Sequence, residues 1–188
     1  MGLFSLLTGR SNKFAPDPNE TEYENLLNFV SCGGTTKEWE KLKAKNGWQF
    51  RESEVEKFER YLKEVKVYSD RYYKQMQEIQ NDWSVMYNTG AYTGILAINF
   101  EKKCIANIAD YVTMRKIDIK YGQKTATNIP AFKRLAMLYE KQERFNDAVE
   151  VCKQAYALGM DERGRMARMI KKAGRTPSME EEEILNKA

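Results

Sequence analysis

Residues 129–160 read IPAFKRLAMLYEKQERFNDAVEVCKQAYALGM, and the spacing within this stretch sets the expected fold. Phe132, Leu135, Ala136 and Tyr139 recur at intervals of three and four, the pattern of a helix that keeps one face apolar. Ala148, Cys152 and Ala155 do the same on a second segment, and Glu143-Arg144-Phe145-Asn146 between them reads as the turn of a helical hairpin. The small side chains of Ala136, Ala148 and Ala155 let two helices approach closely, while Phe132, Tyr139 and Phe145 fill the flanks.

The rest of the chain agrees with an all-α fold. Of 188 residues, 42% are hydrophobic and 31% charged, with 11 Gly and 4 Pro and a mean hydropathy of −0.70. That is poor material for turn-rich β architecture and good material for solvated helices. The length suits one globular domain or two small ones. There is no histidine, which removes the commonest general base near neutral pH, Ser-His and Cys-His nucleophile pairs, and His-containing zinc sites. Cys32, Cys104 and Cys152 are odd in number and widely spaced, which predicts reduced, buried thiols and a cytoplasmic protein rather than a disulfide framework or a metal site. Gly33-Gly34 reads as a helix stop, not a phosphate loop. Glu64-Val65-Lys66 matches part of a nuclease pattern but falls within a helical repeat with both charges in solvent. The expectation is a protein without catalytic residues, metal or cofactor.

Four segments follow from the punctuation. Residues 1–18 form an arm and linker. Met1-Gly2-Leu3-Phe4-Ser5-Leu6-Leu7 has no leading basic residue, meets Arg10 too early for a membrane span, and carries Leu6 where myristoylation wants Ser or Thr. It reads as an apolar arm that docks on the protein's own surface or a partner's. Residues 19–90 hold short helices and one long one. Thr21/Glu24, Thr35/Glu38 and Ser53/Glu56, like Ser178/Glu181 near the end, have the spacing of capping boxes. The first helix carries Tyr23, Leu26, Leu27 and Val30, and the second Trp39 and Leu42. From Ser53 to about Asn88, a heptad seam runs through Val55, Phe58, Leu62, Val65, Tyr72, Met76, Ile79, Trp83 and Met86. A second helix must cover that seam, either from the same chain or from another copy. Residues 91–176 supply an intramolecular partner in Ala91 to about Tyr121, then the hairpin, then a capping helix from Asp161 to about Lys172 with Met166, Met169 and Ile170 as its stripe. Residues 177–188 are an acidic tail. The expected architecture is a long antiparallel helical hairpin packed with the shorter hairpin and its C-terminal capping helix.

At residues 129–162 the chain resembles a tetratricopeptide repeat, a unit of about 34 residues. Phe132, Leu135, Ala136, Tyr139, Phe145, Ala148 and Ala155 fall on its signature positions. The departures are Cys152 in place of a large aromatic, Ala136 in place of the commonest Gly, and Met160 in place of a closing Pro. No second copy occurs in register. The C-terminal half also resembles small helical proteins encoded in bacterial or phage genomes. The repeat resemblance implies binding of a peptide or of another protein's helix along the first helix of the hairpin, with Lys133, Met137, Glu140 and Lys141 facing the groove. The family's carboxylate clamp uses Lys and Asn from consecutive repeats. Here Met137 stands where Asn is wanted and there are no adjacent repeats.

Charge is uneven along the chain. Residues 1–90 carry 13 basic and 14 acidic side chains, whereas residues 91–176 carry 17 and 9. Arg163, Arg165, Arg168, Lys171, Lys172 and Arg175 form the densest basic group. They suggest an alternative nucleic-acid contact, or else a solvated face neutralised by the Glu180–Glu183 run. The expected role is that of a non-catalytic protein-binding adaptor. The alternatives are nucleic-acid binding by the basic half and a homo-oligomer zipped along the long seam.

Overall fold

The computed structural model describes residues 14–187; the apolar opening of the chain lies outside them. Eight α-helices and no strand occur among the described residues, with one isolated β-bridge between Thr21 and Arg51. The chain divides into two compact units, one ending at Arg60 and one beginning at Tyr61.

In the first unit, α1 (Glu22–Ser31) and α2 (Thr36–Asn46) each start on a capping box. Thr21 accepts from the backbone of Glu24 at 3.2 Å and the Glu24 carboxylate accepts from the Thr21 N–H at 2.7 Å, which satisfies donors that a helix start leaves open. Trp39, with 0% exposure, is the centre of this unit. Phe29, Trp48 and Phe50 pack their rings 5.4–5.6 Å from it, and Phe14 meets Phe29 at 5.3 Å. The buried Asn25 holds the incoming chain: its Nδ2 donates to the Asp17 carbonyl at 2.8 Å and its Oδ1 accepts from the Asp17 N–H at 2.8 Å. Tyr23, Leu27 and Val30 of α1 are exposed. The ring cluster takes the α1 face carrying Asn25 and Phe29, so the more apolar stripe of this helix is the one left in water.

α1 ends at Gly33, in the left-handed region with φ 92°, and at Gly34, whose N–H donates to the Phe29 carbonyl at 3.1 Å. A β-carbon on Gly34 would lie 2.2 Å from Cε1 of Phe29.

The second unit contains most of α3 (Glu54–Thr89), together with α4 (Gly94–Lys120), α5 (Pro130–Lys141), α6 (Phe145–Ala157), α7 (Arg163–Lys172) and α8 (Met179–Asn186). α3 has 36 residues and is therefore about 54 Å long. Ser53 and Glu56 cap its start, with the Ser53 N–H donating to the carboxylate at 2.8 Å. Contacts with α4 descend along α4 as they ascend along α3. Lys120 meets Glu64 at 2.8 Å, Asp110 pairs with Arg71, and Nδ2 of Asn107 donates to the Tyr72 carbonyl at 2.8 Å. Further along, Lys103 meets Asp82 at 2.8 Å and Phe100 packs 5.7 Å from Trp83. Val65, Tyr72, Ile79, Trp83 and Met86 of the seam are buried, whereas Leu62 is 46% exposed. Tyr61 donates to Asp118 at 2.9 Å and packs 5.7 Å from the Tyr121 ring, so this end of α3 meets α4 through Tyr61 and Val65 and leaves Leu62 outside the contact. In the first unit, Val55 and Phe58 are likewise exposed.

The backbones of α5 and α6, and those of α6 and α7, approach within 8 Å Cα to Cα. Ala136, Ala148, Cys152 and Ala155 are each at most 1% exposed, which is what close approach requires of the side chains between helices. The connection is tighter than the spacing predicts: it occupies Gln142–Arg144, and Phe145 already begins α6. Glu143 adopts φ 59°, and the Arg144 N–H donates back to the Tyr139 carbonyl at 2.9 Å. Met166, Met169 and Ile170 of α7 join the same core.

Two substitutions probe these cores. Ala148→Leu should overpack the α5–α6 contact and Gly34→Ala should drive a β-carbon into the Phe29 ring, each lowering stability by about 1–3 kcal/mol. Urea unfolding followed by tryptophan fluorescence measures both, and an unchanged midpoint would remove the corresponding packing assignment.

Candidate functional site

The outer face of α5 follows from its inner one. Pro130 at the first helical position suits a fixed φ and needs no N–H partner. Phe132, Leu135, Ala136 and Tyr139 then turn into the core. Lys133, Met137, Glu140 and Lys141, spaced i, i+4, i+7 and i+8, consequently share the opposite stripe. Lys133 and Lys141 are exposed. Met137 is half-buried against the edge of the core, and the Lys141 ammonium stands 5.3 Å from the Tyr92 ring. Glu140 is committed to its own chain: it accepts from Arg168 at 3.0 Å and from Lys172 at 2.8 Å. Burial alone would raise its carboxyl, but the hydrogen bonds from Lys172 and Arg168 outweigh that and hold it below the usual range. The structure thus brings together residues from two separate sequence-based groups, because α7 lies beside α5.

A second cluster has no sequence signature of its own. The Tyr139 hydroxyl donates to Glu101 of α4 at 2.8 Å. Arg144, in the hairpin turn, donates to the same carboxylate at 3.0 and 3.2 Å and to Asp147 at 2.7 Å, and its guanidinium lies 4.1 Å from the Tyr139 ring. Burial, reinforced by the Glu101 hydrogen bond, pushes the Tyr139 hydroxyl pKa up, and the hydrogen bond to Glu101 raises that of Arg144. This clasp ties the start of α6 to α4. Only the placement of Glu101, 43 positions from Arg144, reveals it.

Most of the basic C-terminal group is neutralised within the chain. Arg163 pairs with Asp161 at 2.8 Å, Arg165 with Glu162 at 2.7 Å, and Arg168 and Lys172 with Glu140. Arg175 donates to both oxygens of Glu181 at 2.7 Å and to Asn146 at 2.9 Å. Among the described residues, Lys171 is the member of the group without an ion-pair partner. The acidic tail takes part directly, through Glu181 on Arg175 and Glu180 on Lys153. The Arg175 guanidinium holds the Glu181 carboxyl well below the usual carboxylate range, at about 2, outweighing its burial.

Of the three thiols expected to be buried, Cys32 is exposed instead, because it caps the C-terminal end of α1 at the surface; the other two are shielded. Burial raises the pKa of the Cys104 thiol, and that of Cys152 to about 12, so both stay protonated at neutral pH. Glu64 is engaged by Lys120 and by the Tyr121 hydroxyl at 2.8 Å, and Lys66 by Asp70 at 2.8 Å. Among the described residues, no cluster of three or more acids or thiols has metal-holding geometry, and no helix is long and apolar enough to cross a membrane.

Comparison of the chain with protein-family models, with curated proteins and with solved structures finds no match.

Because the carboxyl of Glu181 is depressed in the folded chain, its contribution is fully present above its ordinary value of about 4.5 and is lost as pH falls towards about 2. The loss should be on the order of 3 kcal/mol. Urea unfolding at pH 5, 4 and 3 should show a steeper decline for the wild type than for Glu181→Gln. Parallel declines would mean that Glu181 does not carry the pair's stability.

Proposed function

We propose that the chain is a non-catalytic, cytoplasmic protein-binding module. In this reading α3 and α4 form a long antiparallel hairpin, α5 and α6 form a single tetratricopeptide-like hairpin, and α7 caps it. The descending order of α3–α4 contacts supports the first element. The buried alanines between α5 and α6 support the second, and the packing of Met166 and Met169 supports the cap. The free thiols of Cys32, Cys104 and Cys152 fit a reducing compartment.

The observation that carries the binding role is the charge balance on the outer face of α5. Lys133 and Lys141 flank Met137 on this face, and Arg168 and Lys172 adjoin it through Glu140. Two exposed lysines without an ion pair among the described residues therefore flank an apolar side chain, beside a Glu140 carboxylate already taken by two cations. Such a surface suits an acidic peptide or an acidic helix that lays an apolar residue over Met137, with the charges guiding encounter and register.

The test uses a photo-crosslinking residue at position 137 of the full chain in cells that produce it naturally. The expected products are cross-links to proteins through acidic segments. Lys133→Glu combined with Lys141→Glu should abolish most of them while leaving thermal unfolding unchanged, since both lysines are exposed. An identical cross-linking pattern from the charge-reversed chain would overturn the assignment of this face.

A further inference from the structure

The end of α6 and the start of α7 line, with α4, an open cavity of about 440 Å³. Arg115 of α4 lines it, together with Tyr156, Gly159, Met160, Asp161 and Arg163. We propose that this cavity is a binding site for a small organic anion, held through a carboxylate or phosphate group by Arg115, with the Arg163–Asp161 pair at its rim.

Arg115 carries the proposal because of what it lacks. The other described arginines have a carboxylate or an aromatic ring close by: Arg51 meets Glu24, Arg60 meets Glu52, Arg71 meets Asp110, and Arg134 lies 5.0 Å from the Trp83 ring. Arg144, Arg163, Arg165, Arg168 and Arg175 are paired as described above. Arg115 has no hydrogen bond and no ion pair among the described residues, and its Nε is buried without an acceptor. A buried Nε–H left in this state is costly, since neither water nor a carboxylate compensates that donor. The cavity is where a counter-charge can reach it.

The surroundings favour an anion and set its size. Asp161 is already spent on Arg163, donating nothing and accepting at 2.8 Å from Nε and at 3.0 Å from Nη2. The positive charge of Arg115 is therefore left over. Arg163 is also the first residue of α7, and its N–H donates to the same Asp161 carboxylate at 3.3 Å, so that carboxylate is fully engaged at the rim. The volume falls in the range of small-molecule sites and exceeds what a bare oxyanion fills. Tyr156 and Met160 offer an aromatic and an apolar surface for the remainder of the ligand. Gly159, at φ 90°, turns the chain between the two helices and adds no side chain to the space. This site is separate from the outer face of α5 and does not depend on that reading.

The experiment is a nitrogen-15 correlation titration of the full chain with phenyl phosphate, benzoate and inorganic phosphate, at ionic strength held constant with sodium chloride. Saturable shifts of the Tyr156, Gly159 and Arg163 amides are expected with at least one of the two organic anions. Arg115→Leu should keep a dispersed spectrum, because it removes an uncompensated charge, and should weaken that binding by about tenfold or more. Arg163→Gln, which leaves the Asp161 carboxylate uncompensated at the rim, should also weaken it. Saturation by inorganic phosphate as tight as by phenyl phosphate would overturn the organic ligand. Absence of saturable shifts with all three anions, or equal affinity in Arg115→Leu, would overturn the site.

Discussion

The close crossing of α5 and α6 is the contact on which the second unit depends. Alanine at positions 136, 148 and 155 removes side-chain bulk where the two helices meet, and each of these residues is essentially without solvent exposure. Short separation has two consequences. Dispersion contacts accumulate between backbones as well as side chains, and the flanking Phe132 and Leu135 are turned into a shared core with α7. α3 and α4 meet differently, chiefly through long side chains such as Trp83, Phe100, Tyr72 and Tyr111. Such an interface tolerates local repacking better than an alanine crossing does, because a larger side chain has several ways to fill a gap while an added methyl group at the crossing has none.

Charge organisation is the second theme. A surplus of eight basic side chains in residues 91–176 suggests a broadly cationic surface, yet about half of the cations in this segment are paired with carboxylates of the same chain. Glu140 takes two cations from α7, Glu101 binds the hairpin turn, and the acidic tail folds onto Arg175 and Lys153. The cations left without an ion pair among the described residues include the lysines flanking Met137, Lys171, and Arg115 at its cavity. The distinction matters physically because exposed, mobile pairs contribute little, whereas a shielded Glu181 held by both guanidinium donors of Arg175 titrates far from its ordinary range. Uncompensated cations, in turn, are where binding energy is available to a partner.

Local signals read well from the residues alone. All four Ser/Thr–Glu pairs mark helix starts, since a capping box involves groups three residues apart and needs nothing from elsewhere. The all-α class and the two segments of 129–160 follow from composition and spacing. The face of a helix that is buried was less legible when two faces compete: Tyr23, Leu27 and Val30 make the more apolar stripe of α1, yet the ring cluster around Trp39 selects the face with Asn25 and Phe29. The seam of α3 shows the same limit. Periodicity identifies Leu62 and Val65 alike, but α4 meets this end of α3 through Tyr61 and Val65, which leaves Leu62 exposed.

The candidate site divides along the same line. That Lys133, Met137, Glu140 and Lys141 share a stripe is set by helical periodicity, an intrinsic property of the segment. That Glu140 is occupied by Arg168 and Lys172, 28 and 32 positions away, that Tyr139 and Arg144 converge on Glu101, and that Arg115 is left without a carboxylate were decided only when the helices packed. Covalent order dictates which residues lie one turn apart. Ion pairing between helices depends on crossing position and axial register, and these emerge from the competition of all buried faces at once.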